Sequence, residues 1–581
     1  MNKIGLLKQI AEKYGAVGRD DDFTSSFLNG TVYFDMPSDM EACRRGYDYS
    51  AYRTPQNGDG EWTYQFARME YLHRLVLSFS ATGDAKITDK YFSFIHDFFQ
   101  NNHYENDAEV VDRYGPLKSR ILRSFGKSDL LYPTYRTLDT AIRNYSLLID
   151  RFFLEDLFDD KTVERIKSDA IKTVSRLREF DRTSNWGIMI CALTACSFLI
   201  LGCEEAERPL AFLKDCLDNQ IDGNGGHTEC SATYHTQCLT ALLRLLYQAK
   251  QARYELDPAF LETAAKMARY SYYHASPTGW QDQNGDSDRT SLNTVFEIAR
   301  SLLGLEDVAP SNDDRDVYLL MEFPQLSLGK LPDHTQKGGY GLAFRNSYCY
   351  NSKEFCVNLY NGVSASSHKH ADNGQLSLWY NGSPYIVDGG RYSYSDLKKR
   401  SYFRGPHAHS TVLVDHGRSW KEKNPNWFRK LPTVDPMICD LGVACVRYWF
   451  NGRETVKRAV RFYDGFIVVV DRVDYKKRHS YRAQWILDPK IVPEPESNCA
   501  VKIGELYLNS YLPGLVIENA EFSPSYNEIE KTKMIRFDAS FHNEFVNVYS
   551  ISKRPQLIRF ENGRFYIDDP DLRVDLEDWN E

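Results

Sequence analysis

The chain has 581 residues, too many for one ordinary hydrophobic core, so two or three domains are expected. Hydrophobic residues at 42% and charged residues at 26% are ordinary for a water-soluble globular protein, and a net charge of −9 argues against nucleic-acid binding by the chain as a whole, while leaving room for a local basic groove. Nothing after Met1 reads as a signal peptide or a membrane span, and the 12 Cys include no Cys-x-x-Cys pair, so the expected setting is the cytoplasm with reduced, buried thiols, or the periplasm or exterior if a leader has been removed.

The first half reads as helices in series. Apolar residues recur at helical spacing over 66–80, with Thr82-Gly83-Asp84 as a stop, and again over 137–153, 188–201, 236–252 and 258–273. Such a series predicts helical hairpins packed as a bundle, solenoid or toroid. After about residue 325 the period changes to two. Segments 339–344 and 355–359 alternate; 375–380, Asn381-Gly382 and 385–388 read as a tight hairpin, and 456–462, Asp464-Gly465 and 467–473 as another. Short strands continue to the end and favour an antiparallel sandwich, the last hundred residues forming either its second layer or a small separate sheet. The predicted organisation is therefore a helical domain over 1–325 and a β-domain over 326–581. Aromatic content is high, with 38 Tyr and 32 Phe; these rings suit stacking on sugars, though most are expected in cores.

Five of the 14 His lie close together: His368, His370, His407, His409 and His416. On a strand, His368 and His370 would point to one face, Asp388 would end the next strand, and His409 would precede the strand 411–414. His370, Asp388 and His409 are thus candidate ligands for a divalent metal, zinc first and manganese or calcium as alternatives, with His407 or His416 as substitutes for His409. The competing reading is polar residues at strand ends. A spare His beside such a site can handle protons near neutral pH. In the helical half, Thr183-Ser184-Asn185-Trp186-Gly187 opens a helix, with Ser or Asn as its N-cap. The Gly-rich turn 222–226 runs into a helix that starts near Tyr234 and His235; a Tyr–His pair there could supply a phenol for proton transfer.

The order Ser-Asn-Trp-Gly (184–187), His-x-Glu-x-Ser-x-x-Tyr-His (227–235), Asn-Gly-Asp (284–286), His-x-His-x-Asp (368–372), Asp-Gly-Gly (388–390) and His-Ser-Thr-Val (409–412) resembles the heparinase II/III-like polysaccharide lyases. Segments 61–68 and 135–143 resemble it too. The resemblance implies an incomplete α/α toroid followed by an antiparallel β-sandwich. It also implies β-elimination on uronic-acid-containing glycans: hyaluronan, chondroitin sulfate and heparan sulfate first, alginate next. Carried over by position, Asn185 would neutralise the uronate carboxylate, Tyr234 would be the general acid and, for one epimer, also the base, and His368 would be the base from the other face. His370, Asp388 and His409 would hold a structural metal, usually zinc. Several relatives carry His after the Asn, where this chain has Trp186, which shifts carboxylate neutralisation or one base role towards His368, His235 or Arg136. Trp186 is either a sugar platform or a core residue; Tyr392, Tyr394 and Arg404 are candidate subsite contacts. The implied partner is an acidic polysaccharide or oligosaccharide, with neither nucleic acid nor membrane. The rival readings are a glycan hydrolase, which needs a carboxylate pair, and a non-catalytic glycan-binding protein on the same scaffold.

Overall fold

The structure is a computed structural model that describes residues 3–13, 21–30, 60–103, 115–118, 135–177, 183–312, 314–326, 340–344, 347–352, 354–362, 366–417, 438–440, 443–450, 454–463, 465–567 and 573–574. The chain forms two compact units. The first comprises Met1–Ile221, Thr236–Ala268 and Asn293–Leu331; the second comprises Asp222–His235, Arg269–Leu292 and Pro332–Glu581. A helical region is followed by an antiparallel β region, the toroid-plus-sandwich class expected from sequence.

In the first unit the helix Asn185–Leu201 carries no charged residue and is buried continuously from Gly187 to Leu199. A helix apolar on every side belongs inside a helical assembly. The Ser184 side chain caps its start by accepting from the Trp186 N–H, and Gly202, at φ 66°, ends it. Thr137–Phe153, predicted with these same bounds, packs against Gly60–Arg68, Asp160–Arg176 and Asn185–Leu201. It is buried through most of its length although it holds Asp139, Arg143 and Asp150, because each is hydrogen-bonded: Asp139 takes Arg68 and Arg136, Arg143 donates to the Ala67 carbonyl, and Asp150 takes His73 and Tyr91. The continuous helix expected over 66–80 is instead two, Gly60–Arg68 and His73–Thr82, joined by a 3-10 turn. Met69 breaks it by adopting the left-handed conformation at φ 60°. Apolar spacing persists across the break, so periodicity alone hides it. The left-handed residue costs about 1–2 kcal/mol, an amount offset by full burial of the Met69 side chain.

The second unit is built on β1 (Tyr340–Phe344), β2 (Ser347–Asn351), β3 (Phe355–Tyr360), β4 (Gln375–Tyr380), β5 (Ser383–Val387), β6 (Val412–Val414), β7 (Ile438–Asp440), β8 (Val443–Phe450), β9 (Glu454–Tyr463), β10 (Phe466–Leu487), β11 (Pro493–Pro495), β12 (Ala500–Ile503), β13 (Leu506–Ser510), β14 (Leu515–Phe522) and β15 (Glu530–Ser552). All pair antiparallel in one hydrogen-bonded system. The β4–β5 turn is Asn381-Gly382, both at positive φ (47° and 78°), the geometry that favours Asn-Gly in two-residue hairpins. β10 runs far beyond the expected 467–473 and pairs with β15 from Phe466↔Ser552 to Ile486↔Met534, with an irregularity between Tyr475 and Arg478. The basic run Lys476-Lys477-Arg478 sits at that irregularity and masks the strand in the sequence. Beyond it Tyr481, Ala483, Trp485 and Leu487 alternate into the core with Val412, Val414, Ile535 and Phe537. Towards the end of the chain, the strands within 493–552 join the main sheet, while β16 (Ile558–Glu561), β17 (Arg564–Ile567) and β18 (Arg573–Val574) form a small sheet of their own.

Candidate active site

Within the second unit, three irregular segments converge at one end of β3 and β4. Tyr360, the last residue of β3, accepts from the Gly374 N–H and donates its hydroxyl to the Cys230 carbonyl. The loop 282–288 is tied to the start of the Tyr234 helix: Ser287 Oγ accepts from the Thr233 N–H at 3.1 Å and lies 3.1 Å from Ser231 Oγ. The same loop is tied to the His segment, where the Asp286 N–H donates to the His368 carbonyl at 2.8 Å. Gly285 makes this approach possible. It sits at φ 63°, and a Cβ there would meet the Cys230 and His368 carbonyl oxygens at 2.5 and 2.8 Å.

His368 and His370 lie in and just after a turn, not on a strand as expected. Their common orientation comes from Asp286 instead. This carboxylate is fully buried and collects five donors. Oδ1 accepts from His370 Nε2 at 2.7 Å and from Arg400 Nη1; Oδ2 accepts from Arg400 Nη2 at 2.7 Å, His368 Nδ1 at 2.9 Å and the Tyr394 hydroxyl at 3.1 Å. Burial pushes the Asp286 carboxyl up, but the Arg400 guanidinium and the imidazole donors outweigh it and hold it well below the usual carboxylate range.

An ionised Asp286 fixes the protons around it. The proton of His368 sits on Nδ1, facing the carboxylate, which leaves Nε2 as the basic nitrogen. Nε2 lies 3.8 Å from Glu229 Oε2. The His368 ring packs on the Tyr234 ring with centroids 3.8 Å apart. Burial and then Asp286 raise the Tyr394 hydroxyl well above its ordinary value, so it stays protonated and gives its proton to Asp286. Tyr234 and Tyr394 hydroxyls are 2.7 Å apart. With its proton directed to Asp286, the Tyr394 hydroxyl can accept from Tyr234 in that pair. Arg391 completes the wall, holding Asp288 through Nε at 2.8 Å and Nη2 at 2.5 Å.

The three expected metal ligands behave differently from one another. Asp388 is the first residue after β5; its Oδ1 accepts from the Gly390 N–H and its Oδ2 lies 2.8 Å from His409 Nδ1. Asp388 therefore stands behind His409. His370 and His409 are fully buried with ring centroids 5.4 Å apart, and each keeps one nitrogen without a hydrogen-bond partner, Nδ1 of His370 and Nε2 of His409. Burial pushes the His370 imidazole down to about 3, so it is neutral. Two buried imidazole lone pairs suit zinc or a similar divalent ion. Among the described residues, however, no three His, Cys, Asp or Glu side chains form a ready ligand set. His407 and His416 are exposed, so His409 is the one placed beside His370.

Other expected residues are placed as follows. His235 is 3% exposed and packs on Tyr270 at 4.9 Å. Arg404 ends the helix Leu397–Arg404, its carbonyl accepting from the Ala371 N–H, and Tyr392 adopts φ 58° and packs on Phe403. Asn185, Arg136 and Trp186 belong to the first unit. Asn185 is 1% exposed in the first turn of its helix, and Arg136 pairs with Asp139 while its guanidinium lies 5.0 Å from the Trp186 ring. The sequence reading assigned no role to Asp286, Arg400, Glu229 or Arg391. Asp286 and Glu229 stand within quoted motifs and could have been singled out; nothing local marks Arg400.

Comparison with known proteins bears on the whole chain. Residues 28–314 match the heparinase II/III N-terminus model and residues 330–560 the heparinase II/III-like C-terminal model. A heparin-sulfate lyase of Pedobacter heparinus is 22% identical over 401 residues, which is 64% of this chain and 56% of the relative, so the match spans little more than half of that protein's length. Among solved structures, a heparinase III superposes with a TM-score of 0.70 at 13% identity, covering 96% of this chain and 90% of that one. A heparan sulfate lyase from Pedobacter heparinus gives 0.59 at 16% identity, covering 96% and 88%, and a chondroitin AC lyase from Streptomyces coelicolor gives 0.55 at 12%, covering 98% and 84%. At these identities the structures speak for the fold, and the two domain models together place the chain: it belongs to the heparinase II/III-like family.

Proposed function

We propose that the protein is a lyase that cleaves uronic-acid-containing glycans, glycosaminoglycans before alginate, by β-elimination. The observation that carries this reading is the packing of the Tyr234 and His368 rings 3.8 Å apart, with His368 Nδ1 2.9 Å from the buried Asp286 carboxylate and the Tyr234 hydroxyl 2.7 Å from that of Tyr394. The names of the relatives, a heparin-sulfate lyase, heparinase III and chondroitin AC lyase, favour glycosaminoglycans within that class.

The C5 proton of a uronate is weakly acidic because the neighbouring carboxylate is already negative. His368 Nε2 takes that proton, and the electron pair moves into the C4–C5 bond as the C4–O bond breaks. Tyr234 gives its proton to the departing oxygen. Tyr394 is hydrogen-bonded to Tyr234 and supports the phenolate left behind. The developing charge on the carboxylate needs donors, and Asn185 is the residue the family motif assigns to that task, by the logic of an oxyanion hole. Where the C5 proton and the C4 oxygen lie on one face, Tyr234 would serve both steps from its phenolate form, taking the C5 proton and passing it to the departing oxygen. His370 and His409 would hold a structural divalent ion, zinc first, with Asp388 orienting His409; such an ion would brace the His-bearing segments.

The test is ultraviolet absorbance during incubation with hyaluronan, chondroitin sulfate, heparan sulfate and alginate, with Tyr234→Phe as control. A rise that the substitution abolishes supports elimination and names the substrate. New reducing ends without a rise would instead indicate hydrolysis.

A further inference from the structure

A second set of aromatic rings lies at the opposite end of the strands that carry the active-site cluster. β3 runs from Phe355 to Tyr360, roughly 17 Å of extended chain. Its Tyr360 end meets Cys230 and the His segment; its Phe355 end lines a cleft of about 700 Å³ between β2, β3, β9 and β10. That volume is within the range of about 300–1,000 Å³ usual for ligand sites.

One wall of the cleft is flat: Tyr350 and Phe462, both partly exposed, stack with centroids 3.6 Å apart and planes 11° from parallel, beside buried Phe355 and Ile467. Tyr463 and Phe466, stacked at 4.8 Å and 5°, reach the cleft from the other face of the β9–β10 hairpin. At the rim, Lys553 Nζ donates to Glu354 Oε1 at 2.5 Å, with side chains 45% and 35% exposed. An exposed pair of this kind contributes little to stability, about 0–1 kcal/mol. It is therefore easily opened by a ligand that offers hydroxyls to both ends.

A flat aromatic wall beside an adjacent donor and acceptor matches a pyranose ring, which has apolar C–H faces and a belt of hydroxyls that both give and accept hydrogen bonds. We propose that this cleft is a second glycan-binding site, holding a stretch of the same polymer whose uronate is processed at the Tyr234–His368 cluster. The identity of the polymer rests on the lyase reading; the cleft's capacity to hold sugar does not. Two sites on one chain raise the affinity for long polymers without adding any contact at the reacting sugar.

The experiment is calorimetric titration of the Tyr234→Phe protein, in which turnover is blocked, with tetrasaccharides of hyaluronan and heparan sulfate. The expected result is two tetrasaccharides per chain, falling to one when Tyr350→Ala is added, with polymer affinity reduced at least tenfold. Lys553→Ala, at an exposed position, gives the same loss of one site in a protein whose melting temperature is unchanged, and so covers the case in which Tyr350→Ala fails to fold. A stoichiometry of one that neither substitution alters overturns the proposal. So does concentration-dependent self-association through the cleft with no sugar bound there. Because binding is read, two sugars bound by Tyr234→Phe together with no ultraviolet rise from the parent protein would sink the lyase reading and leave the second site standing.

Discussion

The hydroxyl of Tyr394 stands 2.7 Å from that of Tyr234, and it has one proton to give. That proton goes to Asp286 Oδ2 at 3.1 Å. If Tyr234 is the proposed acid, Tyr394 can accept from it at rest and turn its own proton from Asp286 to the Tyr234 phenolate once the proton has gone to the leaving group. Tyr394→Phe is expected to lower kcat by about 10- to 100-fold, less than the roughly 100- to 10,000-fold typical of a group that transfers the proton itself, with KM changed by less than threefold. Initial rates of double-bond formation decide the matter. A large rise in KM with kcat intact would make Tyr394 a sugar contact only.

Asp286 is a buried charge with many dependants. Asp286→Ala leaves Arg400 buried and unpaired and frees His368 and His370 from their common anchor. Breaking a buried pair in this way costs about 3–5 kcal/mol. Chemical denaturation should report a loss of that order, and Arg400→Met combined with Asp286→Ala should recover part of it. Equal loss in the single and double variants would mean that Arg400 does not depend on Asp286.

Much of this was legible in the sequence, and the gaps have physical causes. Thr137–Phe153, β4 and the Asn381-Gly382 turn follow from periodicity and turn chemistry, which are local. The Met69 break was hidden because burial, a tertiary effect, holds a left-handed residue inside an apolar pattern. Spacing alone suggests strand residues for His368 and His370, yet Asp286, 82 and 84 positions away, is what orients them. Arg400 lies on a short helix with no motif of its own, so its pairing with Asp286 could only be found in three dimensions. The expected ligand triad separated into two imidazoles with spare lone pairs and one carboxylate bonded to His409, a distinction that no spacing carries.

The two spare nitrogens make the metal proposal testable. If His370 and His409 hold zinc, protein purified without chelator should contain close to one equivalent by elemental analysis, and His409→Ala should contain none. Chelator treatment should lower the melting temperature of the parent and leave that of His409→Ala unmoved. Metal content at background in the parent would remove zinc from the reading.

Gly285 carries the turn that delivers Asp286. Gly285→Ala places a methyl 2.5 Å from the Cys230 carbonyl and 2.8 Å from that of His368, at a φ that L residues rarely adopt. Backbone strain of this type costs on the order of 1–3 kcal/mol. The expected outcome is a loss of stability of that size together with at least a tenfold fall in kcat, because the loop must move and Asp286 moves with it. Gly223, in the turn 222–226, where a Cβ would meet nothing within 4 Å, is the control. Gly223→Ala should leave both quantities within error of the parent.

The first unit offers a pH-dependent test separate from the chemistry. Burial alone would push the His73 imidazole down, but Asp150, with Oδ1 2.6 Å from Nδ1, outweighs it and raises the group above its ordinary value of 6.5. A group whose folded pKa is raised binds its proton more tightly in the folded state. Its contribution is therefore complete below pH 6.5 and fades as the pH rises through the folded value. His73→Gln should accordingly be most destabilising near pH 5.5, and its deficit relative to the parent should narrow as the pH is taken to 9. Urea denaturation of the two proteins across that range measures the difference directly. A deficit that stays constant with pH would mean that His73 is neutral in the fold and that its bond to Asp150 acts without the charge.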